Sequence, residues 1–167
     1  MHPRYWGRIA ESIGLALVIG GILALGPLVA PVLFHEVPVM LAAKVMSTIF
    51  MRFDVVLTIA LALVLVGELI QLRYGSWVHG ISARLRTVFA LVMVTLLIGS
   101  VFVVNPKLQA FQQQGVMRWV GEQGRALDQA HHTAEGMMKA ELTLGVLALI
   151  LLGLPIPHMK RASDAPA

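Results

Sequence analysis

The chain has 167 residues, a formal net charge of +4, 57% hydrophobic and 13% charged residues, and no cysteine. A soluble domain carries roughly 25% charged residues, so half that polar cover would leave large apolar patches facing water. The balance excludes a soluble globular enzyme, a disordered tail and a disulfide-stapled mini-protein, and the missing thiols exclude thiolate catalysis and Cys-ligated metal centres.

The hydrophobic residues fall in four runs, at 12–34, 55–72, 87–104 and 142–159, with Glu68 the one charge inside them. As a helix, an 18-residue run reaches about 27 Å, close to the hydrocarbon thickness of a bilayer. In lipid each backbone amide must be bonded within its own segment. The sequence therefore predicts an all-α integral membrane protein, a four-transmembrane-helix bundle with spans near 9–34, 53–72, 86–104 and 140–158. Arg4 and Arg8 give the first run the flank of a signal peptide. It is too long for that, however, and passes Pro27 and Pro31 without a small-x-small cleavage site, so a helix kinked at the prolines is expected.

After Pro38, the polar residues Lys44, Ser47, Thr48 and Arg52 share one helical stripe. Either the second span begins early, with Pro38 in its first turn, or a separate helix lies in the interface. Between 105 and 138, Leu108, Phe111, Trp119, Leu127, Ala130 and Ala134 recur at helical spacing, with Gly121-Glu122-Gln123-Gly124 as the turn signal. An extramembrane helical hairpin follows, formed by helices that run beyond the bilayer on the side opposite the termini. Residues 161–167 read as a frayed tail.

The terminal side holds Arg4, Arg8, Arg73, Arg84, Arg86, Lys160 and Arg161, against Lys44, Arg52, Lys107, Arg118, Arg125 and Lys139 opposite. The first set is packed into shorter segments, which places the termini in the cytoplasm of a plasma- or inner-type membrane. Tyr5, Trp6, Tyr74 and Trp77 fall at the same boundary.

Four short segments resemble a known family. Val29-Ala30-Pro31-Val32-Leu33-Phe34 matches the Ala-Pro-x-Leu-Phe signature of the transmembrane-protein-205-like membrane proteins, and Phe50-Met51-Arg52-Phe53 resembles their aromatic-Arg segment. Asn105-Pro106-Lys107-Leu108 resembles their Asn-Pro-x-(Ile/Leu) step, and Leu127 with His131 their Leu-His segment. The last segment departs from the pattern, because Ala134 and Met138 stand where a Ser and an Asn are expected. The resemblance implies a four-helix membrane bundle with no established catalytic activity.

Three sets of residues suggest chemistry. Asp128, His131, His132 and Glu135 recur three and four apart, presenting two imidazole–carboxylate pairs that suit a zinc, iron, manganese or copper ion. Met40, Met46, Met51, Met117, Met137 and Met138 on the same side add soft ligands for copper, and His35 and Glu36 are the donors available from a second helix. The plainer reading is a solvated helix face with methionines as packing residues. No histidine lies in the body of a span, His158 standing at the terminal-side end of the fourth, which leaves His35 and His79 as ligands for an edge-bound tetrapyrrole. Among the acids, Glu11 lies three residues from Arg8, Asp54 two from Arg52, and Glu68 within reach of Arg73, Arg84 or Arg86.

The span centres, such as Ala60-Leu61-Ala62-Leu63, offer a transported solute almost nothing to bind. Packing residues are more prominent: Gly14, Gly20 and Gly21 with Gly26, Ala16 and Ala24 in the first span, then Pro31, Phe34, Asn105 and Pro106. The expectation is a non-enzymatic scaffold or accessory subunit of a larger membrane complex, redox or photosynthetic complexes included. It would contact lipid and a membrane-protein partner or a second copy, and no nucleic acid. A metal-handling membrane protein built on His131 and His132 is the alternative, and a small transporter the third.

Overall fold

A computed structural model describes residues 3–74, 81–118 and 120–153. The chain is all-α, and no strand occurs among the described residues. In order the helices are α1 (Pro3–Leu23), α2 (Ala30–Glu36), α3 (Val39–Tyr74), α4 (Ile81–Gly99), α5 (Asn105–Gln113) and α6 (Gly121–Gly153). Two π-helical turns, Ala24–Val29 and Ser100–Val104, join α1 to α2 and α4 to α5 without a break. The first contains Pro27. A proline has no amide to donate, and its ring clashes with the carbonyl of the preceding turn. The expected kink thus takes the form of a wider turn that keeps the rod continuous. Pro31 and Pro106 stand in the first turns of α2 and α5, directly after the two π-helical turns.

Four rods result, at Tyr5–Glu36, Val39–Tyr74, Ile81–Gln113 and Gly121–Gly153, each long and apolar enough to cross a membrane. Their 32 to 36 residues correspond to about 50 Å each, against a hydrocarbon layer of about 30 Å. The excess lies opposite the termini, where α5 and the first half of α6 carry Lys107, Gln109, Gln112, Glu122, Arg125 and Asp128. The stripe from Lys44 to Arg52 belongs to α3 itself, so the second helix begins early rather than following a separate interfacial one. Pro38 sits just ahead of it, and its carbonyl accepts the amides of Leu41 and Ala42 at 2.9 Å.

The turn between α5 and α6 lies earlier than the Gly121–Gly124 signal indicated. The amide of Gly115 donates to the Gln112 carbonyl at 3.1 Å and that of Val116 to the Phe111 carbonyl at 3.0 Å. This Schellman closure needs a left-handed residue, and Gly115 supplies it with φ 65°. Gly121, with φ 68°, starts α6, and Gly124 is buried within it. Residues 154–158 of the fourth expected span and the tail at 161–167 lie outside the described residues.

The rods form a ring in which α1 touches α3 and α6, and α4 touches the same two, leaving α3 and α6 as diagonal neighbours. Leu15, Val18, Leu61, Val64, Ala90, Met93 and Ala148 fill the centre. Helices α1 and α3 approach most closely because glycines line the contact. A methyl group on Gly14 would stand 2.5 Å from the Ala60 carbonyl oxygen, and one on Gly67 would stand 2.6 Å from that of Gly7. The outer surface is apolar as well: Val55, Ile59, Leu69, Leu91, Phe102 and Ile150 are all exposed. Lipid, not water, is the solvent that such a surface fits.

Candidate functional site

Two polar layers interrupt the apolar interior, one near each end of the membrane segment. In the layer near the termini, Glu11 of α1 and Glu68 of α3 are 1% and 3% exposed. Arg86 of α4 reaches between them, with NH1 3.4 Å from Glu11 Oε2 and Nε 3.4 Å from Glu68 Oε1. Gln71 Nε2 donates to Glu11 Oε2 at 2.5 Å, Arg86 NH2 to Gln71 Oε1 at 3.3 Å, and Thr87 Oγ1 to Glu68 Oε2 at 3.0 Å. One guanidinium thus joins three helices. Arg8 of α1 adds the fourth, since it donates to the Leu152 carbonyl of α6 at 2.5 Å.

The sequence suggested Arg8 as the partner of Glu11, three residues away on the same helix. The structure gives Glu11 to Arg86 and Gln71 instead, while Glu68 does find Arg86, one of its three expected partners.

Toward the far end, Asn105 at the start of α5 joins Asp54 of α3, and α6 carries the buried Glu141. Asn105 Nδ2 donates to Asp54 Oδ2 at 2.6 Å, so Asp54 pairs with that amide, and no ion pair to Arg52 forms. Neighbours two apart on a helix point to different faces, and Arg52 is exposed. Glu141 is 4% exposed, and its Oε1 has no hydrogen-bond partner. The sequence reading missed Glu141, although it stands immediately before the fourth apolar run as Asp54 stands before the second.

The expected metal set does not assemble. Asp128 is taken by Arg118 at 2.6 Å, and Glu135 by Lys139 at 2.7 Å. His132 lies 3.6 Å from Asp128 and 3.8 Å from Glu135 along its own helix, and His131 is exposed. Among the described residues no group of three or more His, Cys, Asp or Glu side chains is placed to hold a metal ion. The spacing that suggested ligands serves helix-surface ion pairs, and the hydrogen bond from Lys139 holds the Glu135 carboxyl below its usual range.

His35 is exposed near the end of α2, beside the exposed Glu36, and His79 lies outside the described residues. Of the packing residues, Gly14 is buried against α3, and Gly21 lies under the Phe53 ring. Gly20 faces open space. Pro31, Phe34 and Pro106 are exposed. Beside Gly20 runs an apolar groove of about 430 Å³ between α1 and α3, lined by Ala16, Gly21, Ala24, Phe53 and Val56.

A family model described as a domain of unknown function (DUF4149) matches residues 13–116, well over half of the chain. The match takes in the first three rods almost completely, and with them Glu68, Arg86, Asp54 and Asn105. No curated protein and no solved structure matched the chain.

Proposed function

The chain belongs to the DUF4149 family, and we propose that it is a non-enzymatic accessory subunit that packs against a larger membrane protein. The observation that carries this reading is the groove beside Gly20. Gly7, Gly14 and Gly67 are consumed by packing within the molecule, because an added methyl group would strike the facing helix. At Gly20 and Gly26 an added methyl group would meet nothing within 4 Å. Gly20, a small residue bordering that groove, suits the close approach of a foreign transmembrane helix. The consumption of Glu11, Glu68 and Arg86 in helix-to-helix ties fits a structural role too.

Three of the segments that resemble transmembrane-protein-205-like proteins, at 29–34, 50–53 and 105–108, lie within the residues that the family model matches. The density of basic residues near the termini supports their placement on the cytoplasmic side.

The test is purification from native membrane in mild detergent, with mass spectrometry of companions and an absorbance scan for pigment. Wild type is expected to bring down a defined membrane protein, and Gly20→Leu, which fills the groove from its open side, is expected to lose it while keeping its thermal stability. A chain that emerges alone and monomeric overturns the reading.

A further inference from the structure

The ring has an internal symmetry that the sequence barely shows. Val29-Ala30-Pro31-Val32-Leu33 in the first rod and Val104-Asn105-Pro106-Lys107-Leu108 in the third share Val, Pro and Leu at a separation of 75 residues. The same separation carries Leu15, Val18 and Ile22, buried on α1, onto Ala90, Met93 and Leu97, buried on α4. It also carries Glu11 onto Arg86. In the second and fourth rods a separation of 84 carries Leu57, Leu61 and Val64 onto Glu141, Gly145 and Ala148, all of them buried. The longer connection between α5 and α6 accounts for the difference. Because α1 lies diagonally opposite α4, and α3 opposite α6, a twofold axis through the centre of the ring, parallel to the rods, exchanges the two helix pairs.

The symmetry extends to the irregular backbone. Both π-helical turns end at matched residues, Val29 and Val104. In the first, the amide of Ala30 donates to the Leu25 carbonyl, and the next residue, Pro31, has no amide for the carbonyl of Gly26. In the second, the amide of Asn105 donates to the Ser100 carbonyl, and Pro106 has none for the carbonyl of Val101. Gly26 and Val101 are again 75 residues apart. The first and third rods thus lack one rung of the hydrogen-bond ladder at the same place, and helices bend where a rung is missing.

The two sides of each turn differ in the way a hinge requires. Toward the termini, α1 and α4 give six matched residues to the core. Beyond the turns, α2 and α5 contain no buried residue, and a segment that buries nothing moves at lower cost than a packed one. The side-chain bonds that hold α5, from Asn105 to Asp54 at 2.6 Å and from Gln109 to the Met51 sulfur at 2.8 Å, border an open cleft of about 260 Å³ beside the second turn, which leaves that limb room to shift.

We propose that the two π-turns are matched hinges, on which α2 and α5 swing at opposite corners of the ring and so open and close its end remote from the termini. Motion of this kind leaves the core between α1 and α4 unchanged. The hinges act within one molecule and do not rest on the partner reading, although Ala24 and Leu25 of the first turn also border the groove beside Gly20.

The chain has no cysteine, so pairs introduced for spin labels report without background. His35→Cys with Ala110→Cys labels two exposed, symmetry-matched positions beyond the hinges, and Leu17→Cys with Val92→Cys labels two such positions on the terminal side of them. Distances are measured by pulsed electron paramagnetic resonance on the full chain in lipid nanodiscs. The first pair is expected to give a distribution about twice as wide as the second. Pro31→Ala and Pro106→Ala restore the two missing amides. Together they are expected to narrow the first distribution to the width of the second, and each alone to narrow it in part.

Equal widths for the two pairs, with the prolines in place, overturn the proposal. So does a wide first distribution that neither proline substitution narrows, because the motion would then belong to the limbs themselves and not to the turns. The single substitutions keep the test decisive if the double one fails to fold.

Discussion

The two polar layers use the same kind of side chain to opposite ends. Near the termini, two buried carboxylates meet a guanidinium, a glutamine and a threonine, with Glu68 Oε1 and Arg86 Nε held as an ion pair at 3.4 Å rather than by a hydrogen bond. At the far end, Asp54 meets one asparagine amide and no basic side chain among the described residues, and Glu141 Oε1 has no hydrogen-bond partner there. They stand fourteen residues apart along α3, or about 21 Å, with Leu57, Ala60, Leu61 and Val64 buried between them. A buried acid is thus not informative by itself; the groups that reach it decide whether it ties helices together.

The strongest way to break this contrast is Arg86→Met. Removing the shared cation would leave Glu11 and Glu68 facing each other without compensation, and about 3–5 kcal/mol of stability should disappear in SDS titration of mixed micelles. Gly67→Ala should cost about 1–3 kcal/mol by the same measurement, because the obstacles to its methyl group include the Gly7 carbonyl and the Glu11 amide, which cannot swing aside. Asn105→Ala, which deprives Asp54 of its donor, should cost about 1.5 kcal/mol.

Glu141→Gln sharpens the contrast from the other side. It keeps the size of a buried side chain whose Oε1 has no hydrogen-bond partner among the described residues, and should change stability by no more than about 1 kcal/mol. If Glu141→Gln were as damaging as Arg86→Met, the two layers would not differ in the way their geometry indicates.

The rods were legible in the sequence because hydrocarbon demands uninterrupted apolar helix, and residues 12–34 or 87–104 admit no other reading. The partners of the acids were far less legible. Arg8 looked suitable for Glu11 at three residues' distance, yet the helix Glu11 faces is set by ring order, which no local spacing encodes. Glu68 was legible only as far as a choice among three arginines. The metal set at Asp128 to Glu135 misled for a related reason: i, i+3 and i, i+4 spacing is shared by ligand pairs and by surface ion pairs, and Arg118 and Lys139 settle the choice. The turn before α6 was displaced because Gly115, a lone glycine after three glutamines, carries the left-handed backbone that a pair of glycines farther on had seemed to offer.

The bond from Arg8 to the Leu152 carbonyl has a consequence for biogenesis. It links the first rod to the fourth, so the ring cannot close until the fourth rod has emerged from the ribosome. Until α4 is inserted, Glu11 and Glu68 lack their guanidinium, and the pair formed by the first two rods carries two unpaired carboxyl groups into the bilayer. Assembly therefore favours delivery of the third rod soon after the second, and a nascent chain stalled before Arg86 would present quality-control machinery with an unneutralised acidic seam.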